Sequence, residues 1–277
     1  MVRESTLNAH YTSPVIIRQM YETLEKMGFS KGNVLEPSMG IGNFFGMMPD
    51  SMKESRLYGV ELDSITGRIA KQLYPQADVQ IKGFEKTDYP NDFFDVAIGN
   101  VPFGQYKVAD KQYDKNNFLI HDYFFAKTLD KVRPGGIVAF ITSKGTLDKP
   151  NTAVREYLAE RADLLGAVRL PDNAFKNAGT EVTSDIIFLQ KRAAPPEQMP
   201  DWVDVSQSAD GIPVNKYFEQ HPEMVLGSMV WESGPYGQET ACKPLPDADL
   251  KEQLAAAVAN LSAPDKALLM QEAAAPE

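Results

Sequence analysis

The sequence predicts an α/β protein built on a doubly wound, mostly parallel sheet of seven strands. Two observations predict this fold. Short, continuously apolar segments recur between residues 33 and 190, and segments with helical spacing of apolar residues separate them. Strands that are apolar on both faces belong in a sheet covered by helices on each side. Such sheets bind ligands at the carboxyl ends of their strands, near the point where the strand order reverses.

The predicted elements follow one another in a regular order. A helix is predicted over 15–29, where apolar residues recur every three to four positions before Gly28. The predicted strands are 33–36, 57–62, 79–81, 94–98, 137–142, 165–170 and 186–190. Further helices are predicted over 65–73, 123–132 and 153–161, and the first two stop before Pro75 and Pro134.

Residues 193–277 differ in composition from the rest of the chain. The stretch 192–200 contains consecutive alanines and prolines and is predicted to be a linker. Small packed elements are expected around Trp202 and over 225–231, and an Ala-rich helix is expected over 250–261. We therefore divide the chain into a core domain, 1–192, and an acidic linker with a partly helical C-terminal appendage, 193–277.

The net charge of −10 at first argues against a nucleic-acid partner, because phosphates attract Lys and Arg. The acid excess, however, lies in one region. Residues 193–277 hold 4 basic and 14 acidic residues, which leaves 24 of each in residues 1–192. A neutral core can carry a local basic face, but strong autonomous binding to duplex DNA is not expected.

The composition also bears on compartment and metals. No apolar run approaches the roughly 20 residues that span a bilayer, and residues 1–8 lack the apolar centre of a secretory signal. The single cysteine, Cys242, has no metal-ligand cluster around it, and His10, His121 and His221 fit no triad or metal spacing. We expect no membrane segment and no metal, structural or surface roles for the histidines, and a cytoplasmic location.

A glycine-bearing turn follows the first predicted strand. The segment EPSMGIG, residues 36–42, puts an acidic residue at the strand end and two glycines just after it. Glycines let a ligand approach the backbone, and a carboxylate suits the ammonium group of a methionine moiety. Glu61 stands 19 residues after Gly42, where a carboxylate can accept hydrogen bonds from ribose hydroxyls. The residues predicted to bind this cofactor are Glu36, Pro37, Gly40, Gly42, Glu61 and Leu62.

Two other interpretations of the turn stay open. A lone GxG is often an ordinary turn, and Gly40, Gly42 and Gly46 also match the GxGxxxG of some nicotinamide-binding folds. Glu36 opposes the second interpretation, because a carboxylate just before the glycines would repel a pyrophosphate. The fourth predicted strand also carries a motif that a dehydrogenase does not need. The sequence therefore favours S-adenosylmethionine.

That motif is Asn100-Val101-Pro102-Phe103, just after the strand 94–98. It resembles the (Asp/Asn/Ser)-Pro-Pro-(Tyr/Phe) tetrapeptide of amino-methyltransferases that act on adenine N6. The order of the two motifs resembles that of gamma-class enzymes and of type I restriction modification subunits. From about residue 8 to residue 192, the chain also resembles the methylase region of methylase–SNF2-helicase proteins of bacterial conjugative elements. The resemblance implies a Rossmann-like methyltransferase catalytic core over 1–192 that methylates adenine N6 in DNA.

The residue types fit that reaction. The lone pair of an exocyclic purine amine is delocalised, so the amine is a poor nucleophile. On this interpretation Asn100 accepts one amine hydrogen, the Val101 carbonyl accepts the other, and Phe103 stacks on the extruded base. Val101 stands where the family has proline, but a carbonyl acceptor survives that change. Pro102 also restricts Val101 to extended conformations.

The resemblance assigns an N-terminal motif as well. Tyr11, Thr12 and Pro14 resemble the family segment that closes over the cofactor, and they are predicted to bind it, as Asn100 is on its side of the pocket. The competing interpretation is a helix cap, because Thr12 or Ser13 before Pro14 is also a good capping sequence.

The same resemblance assigns two more positions. Gly83-Phe84-Glu85 stands where the family often has Gly-Asp after the third strand, so Glu85 or Asp88 is expected to replace the missing acid. Phe175 matches a second aromatic that stacks on the substrate base, and a core role is an equal alternative.

Three functional interpretations follow. The first is an adenine-N6 DNA methyltransferase. The second keeps the chemistry but changes the acceptor, because glutamine methylases of release factors and some RNA methylases use a similar tetrapeptide. The stretch 167–191 resembles DNA modification subunits and favours DNA. The third is a non-catalytic module of a larger DNA-processing protein, motivated by Val101, Phe84 and the lack of an evident recognition domain.

Target recognition is not expected from residues 193–277, because phosphate contacts need positive charge. We therefore expect weak DNA binding by this chain alone. A target-recognition or helicase domain or subunit outside the chain is the expected partner.

Overall fold

The computed structural model describes residues 11–178 and 182–271 of the chain. Its helices are α1 (Pro14–Lys26), α2 (Asn43–Gly46), α3 (Ser64–Leu73), α4 (Ile120–Lys131), α5 (Gly145–Asp148), α6 (Ala153–Arg161), α7 (Lys216–Gln220), α8 (Leu250–Val258) and α9 (Lys266–Leu269). Its strands are β1 (Asn33–Glu36), β2 (Arg56–Glu61), β3 (Asp78–Ile81), β4 (Phe94–Asn100), β5 (Val132–Ser143), β6 (Ala162–Leu170), β7 (Ser184–Lys191), β8 (Val205–Gln207), β9 (Pro213–Asn215), β10 (Gly227–Gly234) and β11 (Gly237–Pro244). All the predicted strands and helices are present.

The first seven strands form one sheet in the order β3-β2-β1-β4-β5-β7-β6. β7 runs antiparallel to both of its neighbours, and the other neighbouring pairs are parallel. The predicted doubly wound, mostly parallel sheet is therefore confirmed. The chain goes from β1 outward to β3 and then returns to β4 on the other side of β1. The strand order thus reverses between β1 and β4, where such sheets bind ligands.

Local sequence explains where the first helices begin and end. α1 starts with Pro14 in its first turn, and its N-cap Ser13 accepts a hydrogen bond from the Ile16 N–H at 3.4 Å. α3 is capped by Asp63 and ends just before Pro75, which disfavours further helix. Within residues 11–178 and 182–271, no helix combines the length and apolar character needed to cross a membrane.

α1 lies against the glycine-bearing turn. Ile16 and Ile17 are fully buried, which anchors the first turn of the helix. The Tyr21 hydroxyl donates a hydrogen bond to the Phe44 carbonyl oxygen in α2 at 2.6 Å. These contacts bring the N-terminal motif beside the turn that follows β1.

Elements beyond residue 192 pack against the sheet through a buried arginine. The Arg169 guanidinium in β6 donates two hydrogen bonds to Asp185, at 2.8 and 2.9 Å, and one to Asp148 at 2.6 Å. It also lies over the Phe218 ring of α7, 4.4 Å from the centroid. A buried charge needs such partners. Residues on both sides of the predicted linker thus contact one buried guanidinium group.

Two other contacts join the C-terminal elements to the sheet. Arg133 Nη1 in β5 donates to the Leu268 carbonyl oxygen in α9 at 2.8 Å. The Cys242 N–H in β11 donates to Thr183 Oγ1, next to the start of β7, at 2.9 Å. The division of the chain at residue 192 stays a prediction, and these contacts show that the later elements are not separated from the core.

Candidate functional site

The glycine turn and the Asn-Val-Pro-Phe loop meet at one rim of the sheet. They follow β1 and β4, which are parallel neighbours with Leu35 opposite Ala97. A Cβ built at Gly99 would lie 3.2 Å from Glu36 Cγ, so the Glu36 side chain lies directly against β4. The two predicted motifs therefore share the carboxyl edge at the point where the strand order reverses.

Glu36 is a buried carboxylate with an unused oxygen. Its side chain is 2% exposed, and among the described residues none gives a hydrogen bond to Oε2. Burial, and secondarily the charge of Glu61, raises the pKa of Glu36 well above its ordinary value. An unpaired buried carboxylate is costly, and a bound cation would remove that cost. The position fits the ammonium group predicted from the sequence.

The two glycines of the turn, Gly40 and Gly42, have different structural roles. Both have positive φ, +56° at Gly40 and +92° at Gly42, which favours glycine over other residues. A Cβ at Gly42 would lie 2.3 Å from the Tyr74 ring, so this glycine makes room for the protein itself. A Cβ at Gly40 would meet none of the described atoms within 4 Å. Of the two, Gly40 is the one that opens the backbone to a ligand.

The Glu61 side chain binds the backbone of the same turn. One carboxylate oxygen accepts the Gly40 N–H at 2.8 Å and the other accepts the Asp63 N–H at 3.0 Å. Burial raises the pKa of Glu61, although these backbone N–H groups oppose the shift. Each carboxylate oxygen has two lone pairs, so acceptor capacity remains for a ligand hydroxyl. The other two predicted residues of this region differ in exposure, because Pro37 is buried with the turn while Leu62 is 69% exposed.

Asn100 ends β4 with its amide held on one side only. Its Nδ2 donates a hydrogen bond to Thr12 Oγ1 at 3.1 Å, whereas Oδ1 is buried and has no hydrogen-bond partner in the described part of the chain. The next residue is fixed too, because the Val101 N–H donates to the Ile141 carbonyl oxygen at 3.1 Å. Pro102 and Phe103 are half-buried at the rim. The loop thus presents an acceptor without a donor.

Adjacent residues of the N-terminal motif make different contacts. Ser13, not Thr12, caps α1, and Thr12 is 3% exposed and contacts Asn100 instead. Tyr11, Thr12 and Pro14 also line a cavity of about 230 Å³, which Gly46 and Tyr74 line as well. Neither Glu36 nor Asn100 lines that cavity, so it adjoins the rim without coinciding with it.

The third-strand turn departs from the family pattern in a structural way. Phe84 is 2% exposed and its ring packs 5.0 Å from that of Phe124, so it belongs to the core. A Cβ built at Gly83 would lie 2.2 Å from Glu85 Oε1, so the Glu85 carboxylate folds over the glycine. Glu85 is half-buried and Asp88 is exposed. Of the two predicted substitutes, Glu85 is the one placed against the turn.

Phe175 is placed in the interior. It is 3% exposed and belongs to the main hydrophobic core. Stacking on a substrate base would require this ring to leave its packing. The placement favours the core role that the sequence left open and gives the predicted stacking role no support.

His121 and Lys127, neither predicted for the site, hold the segment that follows the tetrapeptide. His121 Nδ1 accepts the Gly104 N–H at 3.4 Å, and burial lowers the pKa of this histidine, which favours the neutral acceptor. Lys127 Nζ donates to the Phe84 carbonyl oxygen at 2.8 Å and to Asp110 at 3.3 Å. It thereby joins the third-strand turn to this segment. No spacing in the sequence signals these contacts, because both residues resemble ordinary positions of a buried helix.

His221 lies away from this rim. His221 lies beside the Tyr217 ring and 3.4 Å from Glu223, far along the chain from both motifs. His10 lies outside the described residues. Within residues 11–178 and 182–271, no three His, Cys, Asp or Glu side chains form a metal-binding group.

Comparison with known proteins identifies relatives. A family model described as N-6 DNA Methylase matches residues 4–220. The chain is 34% identical to Defense against restriction protein B of Escherichia phage P1 over 195 residues, which are 68% of this chain and 8% of that protein. It is 25% identical to the rRNA N(6)-adenosine-methyltransferase metl-5 of Caenorhabditis elegans over 198 residues, 67% of this chain and 88% of that protein.

A solved structure supports the fold. The M protein of the type I restriction enzyme EcoKI superposes on this chain with a TM-score of 0.54. The sequences are 15% identical, and the match covers 90% of this chain and 70% of that one. This likeness confirms the predicted methyltransferase fold. Because the family model covers most of the sequence, the chain belongs to the N-6 DNA methylase family.

Proposed function

We propose that this chain transfers a methyl group from S-adenosylmethionine to the N6 amine of adenine in DNA. One observation carries the proposal. The ends of the neighbouring strands β1 and β4 each hold a buried oxygen without a hydrogen-bond donor among the described residues, Glu36 Oε2 and Asn100 Oδ1. A cation beside the first and an amine beside the second would satisfy both, which is the pairing that this reaction needs.

The residues around the turn fit the cofactor. Glu36 would hold the ammonium group, the open backbone at Gly40 would allow close approach, and Glu61 would accept the ribose hydroxyls. When bound, S-adenosylmethionine would supply a methyl group from a positively charged sulfur, which becomes a neutral thioether as the methyl–sulfur bond breaks. The methylated amine then loses one proton to water. Tyr11 and Thr12 line the cavity beside the turn, from which they would limit the access of water to the bound cofactor.

The chain itself acts on the amine. Asn100 Oδ1 accepts one amine hydrogen and the Val101 carbonyl accepts the other, which favours a pyramidal nitrogen with its lone pair directed at the methyl group. Phe103 stacks on the extruded base. Because these acceptors are fixed before the substrate arrives, they stabilise the charge that develops on the nitrogen without reorganising.

The experiment is transfer of a radiolabelled methyl group to duplex DNA, RNA and protein in parallel, followed by nucleoside analysis. We expect N6-methyladenine in the DNA arm. Label in RNA alone would place the chain with its rRNA-modifying relative in substrate choice. Absence of label from every acceptor, with enzyme and cofactor in excess, would overturn the proposal.

Val101 bears on whether the module is active. The family proline at this position cannot donate a hydrogen bond, whereas the Val101 N–H bonds to Ile141 and fixes the loop in another way. We therefore expect V101P not to increase the transfer rate and to lower the free energy of unfolding by about 1 kcal/mol, since it leaves the Ile141 carbonyl unpaired. Transfer assays and thermal unfolding measure both, with V101A as the control that keeps the N–H. A silent wild type with an active V101P would instead show a decayed, non-catalytic module.

A basic segment next to the site supports DNA as the acceptor. Residues 104–119 follow Phe103 directly, and Lys107, Lys111 and Lys115 are exposed there. Asp110 is directed inward, where it accepts hydrogen bonds from Tyr123 at 2.6 Å and from the α4 lysine. The exposed face of the segment is therefore more positive than its sequence suggests. We propose that it contacts DNA phosphates beside the target base.

This proposal gives a salt-dependence prediction. Replacing Lys107, Lys111 and Lys115 together by Gln is expected to reduce the slope of log Kd against log salt by about 3, roughly one for each lysine that no longer neutralises a phosphate. Fluorescence anisotropy with a mixed-sequence duplex measures the slope. The matched control replaces three exposed lysines before β1 and β2, at the opposite edge of the sheet, by the same residue: Lys26, Lys31 and Lys53. An equal effect of both triple variants would show a net-charge effect only and contradict the assignment.

Sequence recognition is proposed to come from a partner. The chain spans 8% of the length of its phage relative, and residues 193–277 hold the acid excess. We propose that a target-recognition or helicase domain or subunit supplies specificity, and that the chain alone binds duplex DNA only above micromolar concentration at physiological salt. Submicromolar binding by the isolated chain would contradict this.

A further inference from the structure

Thr12 is joined to Asn100 across 88 positions of the sequence, by the 3.1 Å hydrogen bond from Nδ2 to Oγ1. We propose that Thr12 is a positioning residue, which holds the Asn100 amide with Oδ1 toward the substrate amine. This inference rests on the proposed function and changes the role that the family resemblance gave to Thr12. The resemblance makes Thr12 a cofactor contact, whereas the structure pairs it with the residue that receives the substrate.

The physical need for such a residue follows from the shape of the amide. The terminal torsion of asparagine is roughly two-fold, so its oxygen and its NH₂ group can exchange places at little cost. The two orientations have opposite chemistry at the rim. With the oxygen inward, the amide accepts a hydrogen from the substrate amine. With NH₂ inward, two donors face each other and the amine is repelled.

The structure has the first of these orientations. Thr12 Oγ1 is occupied as the acceptor of Nδ2, and Oδ1 is left buried with no donor among the described residues. An amide turned the other way would satisfy Oδ1 with the threonine hydroxyl and leave no acceptor for the substrate. Within residues 11–178 and 182–271 the observed arrangement leaves this carbonyl unsatisfied, which is the state that a substrate amine would complete.

Thr12 is well placed to act as a fixed point. It is 3% exposed and immediately precedes the capped start of α1, where the Ile16 and Ile17 N–H groups donate to the Ser13 carbonyl oxygen at 3.1 and 3.2 Å. Ile16 and Ile17 in the first turn of α1 are buried, and the helix is bound to the glycine turn through Tyr21. The threonine is thus held beside the buried start of α1.

The test separates positioning from cofactor contact. T12V keeps the shape of the side chain and removes the hydroxyl, and T12S keeps the hydroxyl. We expect T12V to reduce the single-turnover rate at saturating cofactor by about 10- to 100-fold, with the Kd for S-adenosylmethionine unchanged within about two-fold. T12S should retain the rate within about three-fold. T23V is the matched control, because Thr23 is an equally buried threonine of α1 whose hydroxyl donates to the Gln19 carbonyl oxygen of the same helix.

A second measurement does not depend on turnover. The side-chain amide signals of Asn100, assigned in ¹⁵N-asparagine-labelled protein by their loss in N100A, should shift and exchange faster with water in T12V but not in T23V. A large loss of cofactor affinity in T12V with the saturated rate retained would overturn the positioning role and restore the cofactor contact. Unchanged rate and unchanged amide signals would overturn it outright. If wild type transfers no methyl group, the proposed function fails and this role fails with it. If wild type is active and T12V has the wild-type rate and amide signals, only the proposed role of Thr12 is overturned.

Discussion

Replacing Asn100 by alanine is expected to reduce the single-turnover rate of methyl transfer by about 10²- to 10³-fold, the usual effect of losing one preorganised group that stabilises developing charge. The variant removes the acceptor at the end of β4 and leaves Glu36 and Glu61 untouched. The Kd for S-adenosylmethionine should therefore stay within about three-fold of wild type. Rapid-quench transfer assays and calorimetry measure the two quantities.

A matched truncation makes the result specific. Asn33 is also half-buried, but it lies at the amino end of β1, where its side chain bonds the Phe93 carbonyl oxygen at 3.1 Å. N33A should cost stability without changing the transfer rate of the folded protein. If N100A transferred methyl groups at the wild-type rate, Asn100 would not receive the substrate amine.

Replacing Glu36 by glutamine is expected to weaken cofactor binding by at least about 100-fold, because the ammonium group would lose the buried counter-charge at the end of β1. Glutamine keeps the size of the side chain, so the turn should keep its shape. Isothermal calorimetry measures the loss. E22Q, on the exposed face of α1, makes the same chemical change away from the rim and should bind as wild type does.

The same variant should stabilise the protein in the absence of cofactor. Because burial raises the folded-state pKa of Glu36, the folded chain holds a proton that the unfolded chain releases as pH rises above the ordinary value of 4.5. The free energy of unfolding of wild type therefore falls as pH rises. E36Q lacks this contribution, because glutamine does not titrate. We expect E36Q to melt about 2–4 °C higher near pH 8, with the gap closing as pH falls toward 4.5. Tight cofactor binding by E36Q, or a gap independent of pH, would contradict this role of Glu36.

The combination of weaker binding and higher stability is informative in itself. A site residue that costs stability until its ligand arrives differs from a core residue, whose removal costs stability in every condition. Glu36 and Asn100 both carry an oxygen that no described residue satisfies, yet only the carboxylate changes charge with pH. Cofactor added to wild type should therefore raise its melting temperature most at alkaline pH and should not do so in E36Q.

Much of the fold was predictable because a strand buried on both faces needs a continuously apolar sequence. The strands that became β4 and β5 are apolar on both faces, which placed them inside a covered sheet before any pairing was known. The rim could also be predicted, since parallel strands bring Glu36 and Asn100 to one edge whatever the details of the loops. The structural reason for Gly42 could not be predicted from the sequence. Its missing side chain makes room for Tyr74, a contact that no pattern around the glycine reveals.

The features that the sequence did not reveal are pairings between distant residues. Thr12 bonds Asn100 although 88 positions separate them, and Lys127 bonds the backbone of a turn 43 positions away. Side-chain direction caused the uncertainty at Phe175, because an aromatic after a strand can face either the rim or the core. The charge counted from the sequence was also a misleading guide to the surface charge of residues 104–119. Asp110 counts as acidic there, but its side chain is directed inward.

A structure of the chain with S-adenosylmethionine bound tests the central claim most directly. We predict that the ammonium group lies within hydrogen-bonding distance of Glu36 Oε2 and that the methyl group faces Asn100 Oδ1 across the rim. A cofactor bound in the cavity between Pro14 and Tyr74, with both oxygens still unpaired, would contradict it.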